Sequence, residues 1–130
     1  MTIFSKIIAG EIPSYKIAED ERFFAFLDIS PLAKGHTLVV PKIEESYIFN
    51  LDDKTLADMM VFAKKIAHAI EEAVPCLRIG VAVIGLEVPH THIHLVPLNK
   101  IGDLNFSNPK LTLPPEEMNE IAENIRKNLH

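Results

Sequence analysis

Apolar positions change period several times along the chain, and each change marks an element. In "TIFSKIIAG" they share one helical face over a turn or two, closed by Gly10 with Pro13 behind it. "YKIAED" and "FFAFLDI" read as two strands, with "EDER" as the hairpin turn between them. "SPLAKG" is a loop and "HTLVVP" a third strand, ended by Pro41. The clearest helix runs from Asp52 or Asp53 to Val74. Leu56, Met59, Met60, Ala63, Ile66, Ala67, Ile70 and Val74 recur at helical spacing, an Asp is available as N-cap, and Pro75 stops it. Val61 and Phe62 widen its apolar face, as a contact with a partner subunit would require. "LRIGVAVIG" is a fourth strand and "EVPHTHIHLVP" a fifth. A last helix, over about 114–129, opens on prolines and glutamates and closes on Arg126 and Lys127. Strands in meander order with helices inserted predict an α+β fold on an antiparallel five-stranded sheet.

Within the fifth strand the alternation carries chemistry. His90, His92 and His94 occupy alternate positions and use half of the chain's 6 histidines. Residues i, i+2 and i+4 of a strand share a face, so the three imidazoles should stand in a row while Thr91, Ile93 and Leu95 point into packing. The bulk properties narrow what such a row could serve. A chain of 130 residues is one domain, long enough to bury about two-thirds of its unfolded surface. Its composition, 48% hydrophobic and 24% charged, is that of a globular protein. A net charge of −5 without a Lys/Arg cluster argues against a nucleic-acid groove, and runs such as "VAVIG" are too short to span a membrane. The N-terminus has no hydrophobic core of a signal peptide, and the lone Cys76 supplies neither a disulfide nor a cysteine metal cluster, so the expected compartment is the cytoplasm.

Three explanations compete for the histidines. Unrelated strand residues would account for one histidine better than for three in strict alternation. A zinc site suits a His-x-His pair, but the outer backbones of a five-residue stretch lie roughly 13 Å apart, a span that Zn–N bonds of about 2.0–2.1 Å bridge only with strongly bent rotamers. Catalysis uses all three rings: a neutral imidazole attacks phosphorus or carbonyl centres, while its neighbours orient it and bind anionic oxygens.

"HTHIHLV" resembles the signature of the histidine triad (HIT) superfamily, with Thr91 as the one less apolar intervening position. "IFSKIIAGEIPSYKIAEDERFFAFLDISPLAKGHTLVVPK" is similar to the N-terminal half of its nucleotide-binding (HINT) branch, so the likeness covers most of residues 3–98, leaving "LNKIGDLNF" and the C-terminal helix outside it. The resemblance implies a two-layer HIT fold and a two-fold homodimer in which two sheets join. It implies hydrolysis of nucleoside phosphoramidates or related nucleotidyl conjugates to a nucleoside monophosphate such as AMP, through a nucleotidyl-histidine intermediate and without metal or organic cofactor. A dinucleoside polyphosphate hydrolase is a variant of that activity. By the same resemblance His92 is the nucleophile, His94 contacts phosphate oxygens, and His90 orients the nucleophile. His36 matches a histidine that touches His90 from the neighbouring strand. Asp28 matches the acid that binds the ribose hydroxyls, which two carboxylate oxygens can accept from. Ile3, Phe4, Ile7, Phe26, Leu27 and Ile29 fall where the family lines its base slot. His94, where the nucleotidyltransferase branch has glutamine, favours hydrolysis. His68 and His130 are expected to be exposed and uninvolved.

The departures from the pattern are specific. Where many relatives read Gly-Gln-Ser/Thr-Val before the triad, this chain has Gly85, Leu86, Glu87 and Val88. Leu86 cannot donate a hydrogen bond, and an ionised Glu87 would repel a phosphate. Glu87 is therefore expected either to protonate the leaving group or to select one bearing a cationic amine. Loss of the amide and hydroxyl also admits a rival function, nucleotide binding or scaffolding without turnover. Thr2 and Ser5 replace a Cys-x-x-Cys zinc pair, so no structural zinc is expected.

Overall fold

The computed structural model describes residues 1–130. Five strands form one antiparallel sheet: β1 (Lys16–Glu19), β2 (Phe23–Leu27), β3 (Thr37–Pro41), β4 (Arg78–Ala82) and β5 (Ile93–Leu98). Their spatial order is β1-β2-β3-β5-β4. The meander expected for the last two strands is therefore wrong. Helix α2 (Asp53–Ala73) carries the chain across the sheet after β3, so β4 lands one place beyond, and β5 returns between them to pair with both.

β2 and β3 are buried throughout because both of their faces are covered, and only Thr37 among their residues is polar. On one face Phe23, Ala25, Leu27 and Val39 join Ile93 and Leu95 beneath α2 and α3 (Pro115–Lys127). α2 offers this face Met59, Ala63, Ile66 and Ile70, and α3 offers Met118, Ala122 and Ile125, each series at helical spacing. Asp52 caps α2 by accepting from the Thr55 amide. On the other face Phe24, Phe26, Leu38 and Val40 form a smaller cluster under Phe4 of α1 (Ile3–Ile8). α1 is short, so packing and the Thr2 N-cap hold it more than its own propensity does. No helix is long and apolar enough to cross a membrane.

The sheet's register decides where the chemistry lies. His94 stands opposite Leu38, which stands opposite Phe26. Directly paired residues share a face, so His94 belongs to the α1 side. β5 begins only at Ile93, later than the expected strand. Upstream, the Thr91 amide and hydroxyl both donate to the Glu45 carbonyl, at 2.6 and 2.7 Å, which takes that residue out of the ladder.

Candidate active site

A cleft of about 440 Å³ opens on the α1 side of the sheet. His92 and His94 line it with ring centroids 4.9 Å apart, both largely buried. The edge of Phe4 meets His92 at 5.0 Å and fixes the ring from one side. His36 enters from the loop before β3. Gly35, at φ +92°, makes the turn that brings it in, a conformation L side chains rarely adopt, and an added Cβ there would meet Val74 at 3.0 Å.

Main-chain groups assign the proton positions on three of the four buried histidines and, through His36, on the fourth, His94. The Leu32 amide donates to His36 Nδ1 at 3.0 Å, so the proton of a neutral His36 sits on Nε2. That Nε2–H donates to His94 Nδ1 at 3.0 Å, which leaves His94 Nε2–H as a donor. His92 Nδ1–H donates to the His90 carbonyl at 2.7 Å, leaving a lone pair on Nε2. His90 Nε2–H donates to the Pro41 carbonyl, and its Nδ1 accepts from the Thr2 hydroxyl, each at 2.7 Å. One nucleophilic nitrogen therefore lies beside one N–H donor.

Burial pushes the His36 imidazole down to about 3 and His94 down to about 4, each reinforced by the neighbouring histidines. Burial also lowers His90, against the opposing pull of the Pro41 carbonyl. The pair is neutral at pH 7, so His94 acts as a hydrogen-bond donor and not, as a charged imidazole would, as a cation. Asp28 sits half-buried with Oδ1 accepting from the Ser30 amide at 2.8 Å and Oδ2 3.6 Å from His36 Nε2. Burial raises its carboxyl, opposed by that amide and by the nearby Lys110 ammonium. Asp28, His36 and His94 place ligand-type atoms within 4.8 Å of one another. The Leu32 amide keeps the proton on the His36 nitrogen that faces the other two, so His36 and His94 are a hydrogen-bonded pair and the set is a poor metal cradle.

Two expectations need correction. His36 touches His94 and not His90, because the β3–β5 register sets His94 beside it. The three imidazoles do not form one row. His90 lies beneath Phe4, tied to Pro41 and Thr2, while His92 and His94 line the cleft. The Thr2 hydroxyl accepts from the Ser5 amide, and the Ser5 hydroxyl donates to Glu44, so both hydroxyls belong to a polar cluster around His90.

Ile3, Phe4, Glu87 and Val88 line the cleft, as do Asp28 and His36. Phe26 and Ile7 lie one layer below, in the cluster under Phe4. Leu27 cannot join them: strand alternation turns it to the opposite face, into the core beneath α2. Ile29, past the end of β2, is 74% exposed and does not line the cleft. His68 and His130 are exposed beside Glu71 and Glu72. Phe106 and Lys110 were missed. Both line the cleft from the segment after β5, and Phe106 sets its edge against His94 at 4.7 Å. Their stretch of Asn, Pro and Gly has no periodicity, and a lone Phe in it was the only signal.

A family model described as the HIT domain matches residues 9–101. The chain is 38% identical to an uncharacterized HIT-like protein of Borreliella burgdorferi, over 98% of this chain and 97% of that one. It is 37% identical to a Schizosaccharomyces pombe protein named adenosine 5′-monophosphoramidase, over 95% and 94% of the two chains. Its fold superimposes with a TM-score of 0.84 on the crystal structure of a Hit-like protein from Bartonella henselae, 34% identical, over 98% of this chain and 96% of that one.

Proposed function

The chain belongs to the HIT domain family, and on that premise we propose that it hydrolyses nucleoside phosphoramidates or related nucleotidyl conjugates, releasing a nucleoside monophosphate of the AMP type. One observation carries the proposal: His92 Nδ1–H is held by the His90 carbonyl, which commits the Nε2 lone pair to the cleft side of the ring. In the proposed reaction that lone pair attacks the α-phosphorus, the electron pair of the breaking P–N bond goes to nitrogen, and the amine leaves with a proton taken from solvent or from a carboxyl group of the cleft. The ring of the nucleotidyl-His92 is then cationic, and the His90 carbonyl dipole stabilises it through Nδ1–H. Water attacks the same phosphorus and gives up its proton to solvent, the Nε2–P bond breaks with its electron pair returning to Nε2, nucleoside monophosphate leaves and neutral His92 is regenerated. His94 Nε2–H donates to a phosphoryl oxygen, Asp28 accepts from the ribose hydroxyls, and Ile3, Phe4 and Val88 contact the base. The S. pombe relative, by its name, acts on a phosphoramidate of this class.

The test is AMP release from adenosine 5′-phosphoramidate, with an acid-quenched sample examined by mass spectrometry for adenylate on the His92 peptide. Release together with the adduct supports the hydrolase. AMP binding with neither would leave a nucleotide-binding protein whose catalysis went with the amide and hydroxyl replaced by Leu86 and Glu87.

Glu87 and the 87% exposed Leu86 stand at the mouth of the cleft, on the proposed leaving-group side. A Glu87→Gln variant separates the two roles. If Glu87 is the proton donor, turnover falls on every substrate by about 10². If it selects a cationic leaving group, the loss is about two- to fivefold and confined to substrates whose amine carries a charge. Unchanged turnover on all substrates refutes both roles.

We also propose a homodimer. β4 is an edge strand, and Met60, Val61 and Val81 remain exposed around an apolar hollow shared by α2 and β4. A second copy placing its own β4 alongside would satisfy the edge and extend the sheet. Light scattering should return twice the 14.6 kDa chain mass, and Val81→Arg should return the single mass. A monomeric wild-type protein at working concentration excludes the dimer.

A further inference from the structure

The proposed reaction brings a phosphate into a cleft whose own charges oppose it. Asp28 and Glu87 line the cleft as carboxyl groups, and His36 and His94 are buried and held neutral in a chain of hydrogen bonds. As the nucleophile attacks phosphorus, negative charge gathers on the phosphoryl oxygens, and a neutral N–H answers it only in part. Lys110 is the one lysine or arginine lining the cleft.

Its position is built rather than incidental. The segment after β5 folds back over the site, and the Leu111 amide donates to the Pro31 carbonyl at 2.9 Å, tying this segment to the loop that follows Asp28. Phe106 lays its edge against His94 at 4.7 Å and His36 at 6.2 Å, covering the histidine pair. Lys110 Nζ donates to the Phe106 carbonyl at 2.5 Å and to the Asn108 carbonyl at 3.1 Å. An ammonium has three donors, so two fix its place and one is left. Asp28 and His36 both lie within reach of its field.

We infer that Lys110 binds the phosphate of the nucleotide, its third N–H donating to a non-bridging oxygen. This rests on the nucleotide reading above, and it makes the segment after β5 part of the substrate site.

The test compares the affinities of AMP and adenosine for the wild-type protein, Lys110→Met and Lys110→Arg, by calorimetry at fixed low salt. Lys110→Met should weaken AMP by about tenfold or more, the scale of a charge-assisted hydrogen bond, and leave adenosine within about twofold. Lys110→Arg should keep AMP within about threefold, because it retains the charge. Equal AMP affinity in wild type and Lys110→Met overturns the assignment while leaving the nucleotide reading intact. Equal losses of AMP and adenosine also overturn it, by making Lys110 a support of the fold. A wild-type protein that binds neither ligand overturns the nucleotide reading and the role of Lys110 with it.

Discussion

Replacing His92 by alanine is expected to lower AMP release from adenosine 5′-phosphoramidate by at least about 10⁴-fold, the scale seen when a covalent nucleophile is removed. AMP affinity should stay within about threefold. The size of the effect follows from the division of labour in the cleft. His92 is the only one of the four buried histidines with an unprotonated nitrogen free of a protein partner. His36 and His94 each use one nitrogen as acceptor and hold the proton on the other, and His90 is bonded at both nitrogens. None can take over the attack. The His92→Ala protein should therefore give no adenylated peptide after acid quench, whereas the wild-type protein should. Turnover in the variant above about one per cent of wild type would mean that water attacks phosphorus directly, and the covalent step would have to be given up.

The same wiring separates the contributions of the supporting residues. The His90 side chain is remote from the cleft, behind Phe4, and its main-chain carbonyl is the group that touches the nucleophile. Its side chain acts at one remove, by bonding Pro41 and Thr2 and so fixing where that carbonyl points. His36 likewise works through His94: by accepting from the Leu32 amide it is obliged to donate to His94 Nδ1, and His94 is obliged to keep its proton on Nε2. Every side-chain nitrogen or oxygen that is itself fully buried has a partner, and the unpartnered Nε2 atoms of His92 and His94 are left to the cleft that both rings line.

What could be read from the sequence was what periodicity controls. The long helix is legible because its apolar positions repeat at 3.6 and Asp52 caps it. The alternation of histidines correctly set His92 and His94 against Ile93 and Leu95, which fall in the core beneath α2. The misreadings arise where a tertiary choice intervenes. "FFAFL" is apolar at every position, so it does not say which side faces α1. Phe26 and Leu27 look equivalent in sequence and lie on opposite sides of the sheet. The partner of His36 depends on the β3–β5 register, which no local pattern specifies. The strand order depends on how far α2 carries the chain, and a 21-residue helix reaches either neighbouring place. His90 left the row because Thr91 found the Glu45 carbonyl, a contact 46 residues away in sequence. Phe106 and Lys110 reach the site only because the Leu111 amide meets the Pro31 carbonyl.

Acidification from pH 6.5 to 4.5 should destabilise the fold by about 3 kcal/mol, most of it above the range in which ordinary carboxylates titrate. In the unfolded chain a histidine takes up its proton near 6.5, whereas burial holds His36 down at about 3 and His94 at about 4. Between those limits the unfolded state binds more protons than the folded state. Stability is thus fully present above pH 6.5 and is lost progressively as the pH falls toward the folded values. Each histidine that stays neutral contributes a slope of about 1.4 kcal/mol per pH unit. The two share one hydrogen bond, so the full sum is not expected. His90, also lowered by burial, acts in the same direction. Asp28 acts in the opposite one, since burial raises its carboxyl and it gains a proton more readily in the folded state. The ion-paired and capping carboxylates Glu19, Asp52 and Asp58 are all lowered by their hydrogen-bond partners, so their stabilisation is lost as the pH falls through the ordinary carboxylate range, which adds to the histidine effect at the acid end. Urea unfolding at pH 7.0, 6.0, 5.0 and 4.5, at one protein concentration, should show the midpoint falling throughout. His36→Asn removes one of the protonation sites and should flatten the slope by about one proton. Equal stability at pH 7.0 and 4.5 in the wild-type protein would mean that His36 and His94 are charged in the folded state. The donor chain from Leu32 to His94 would then be wired differently.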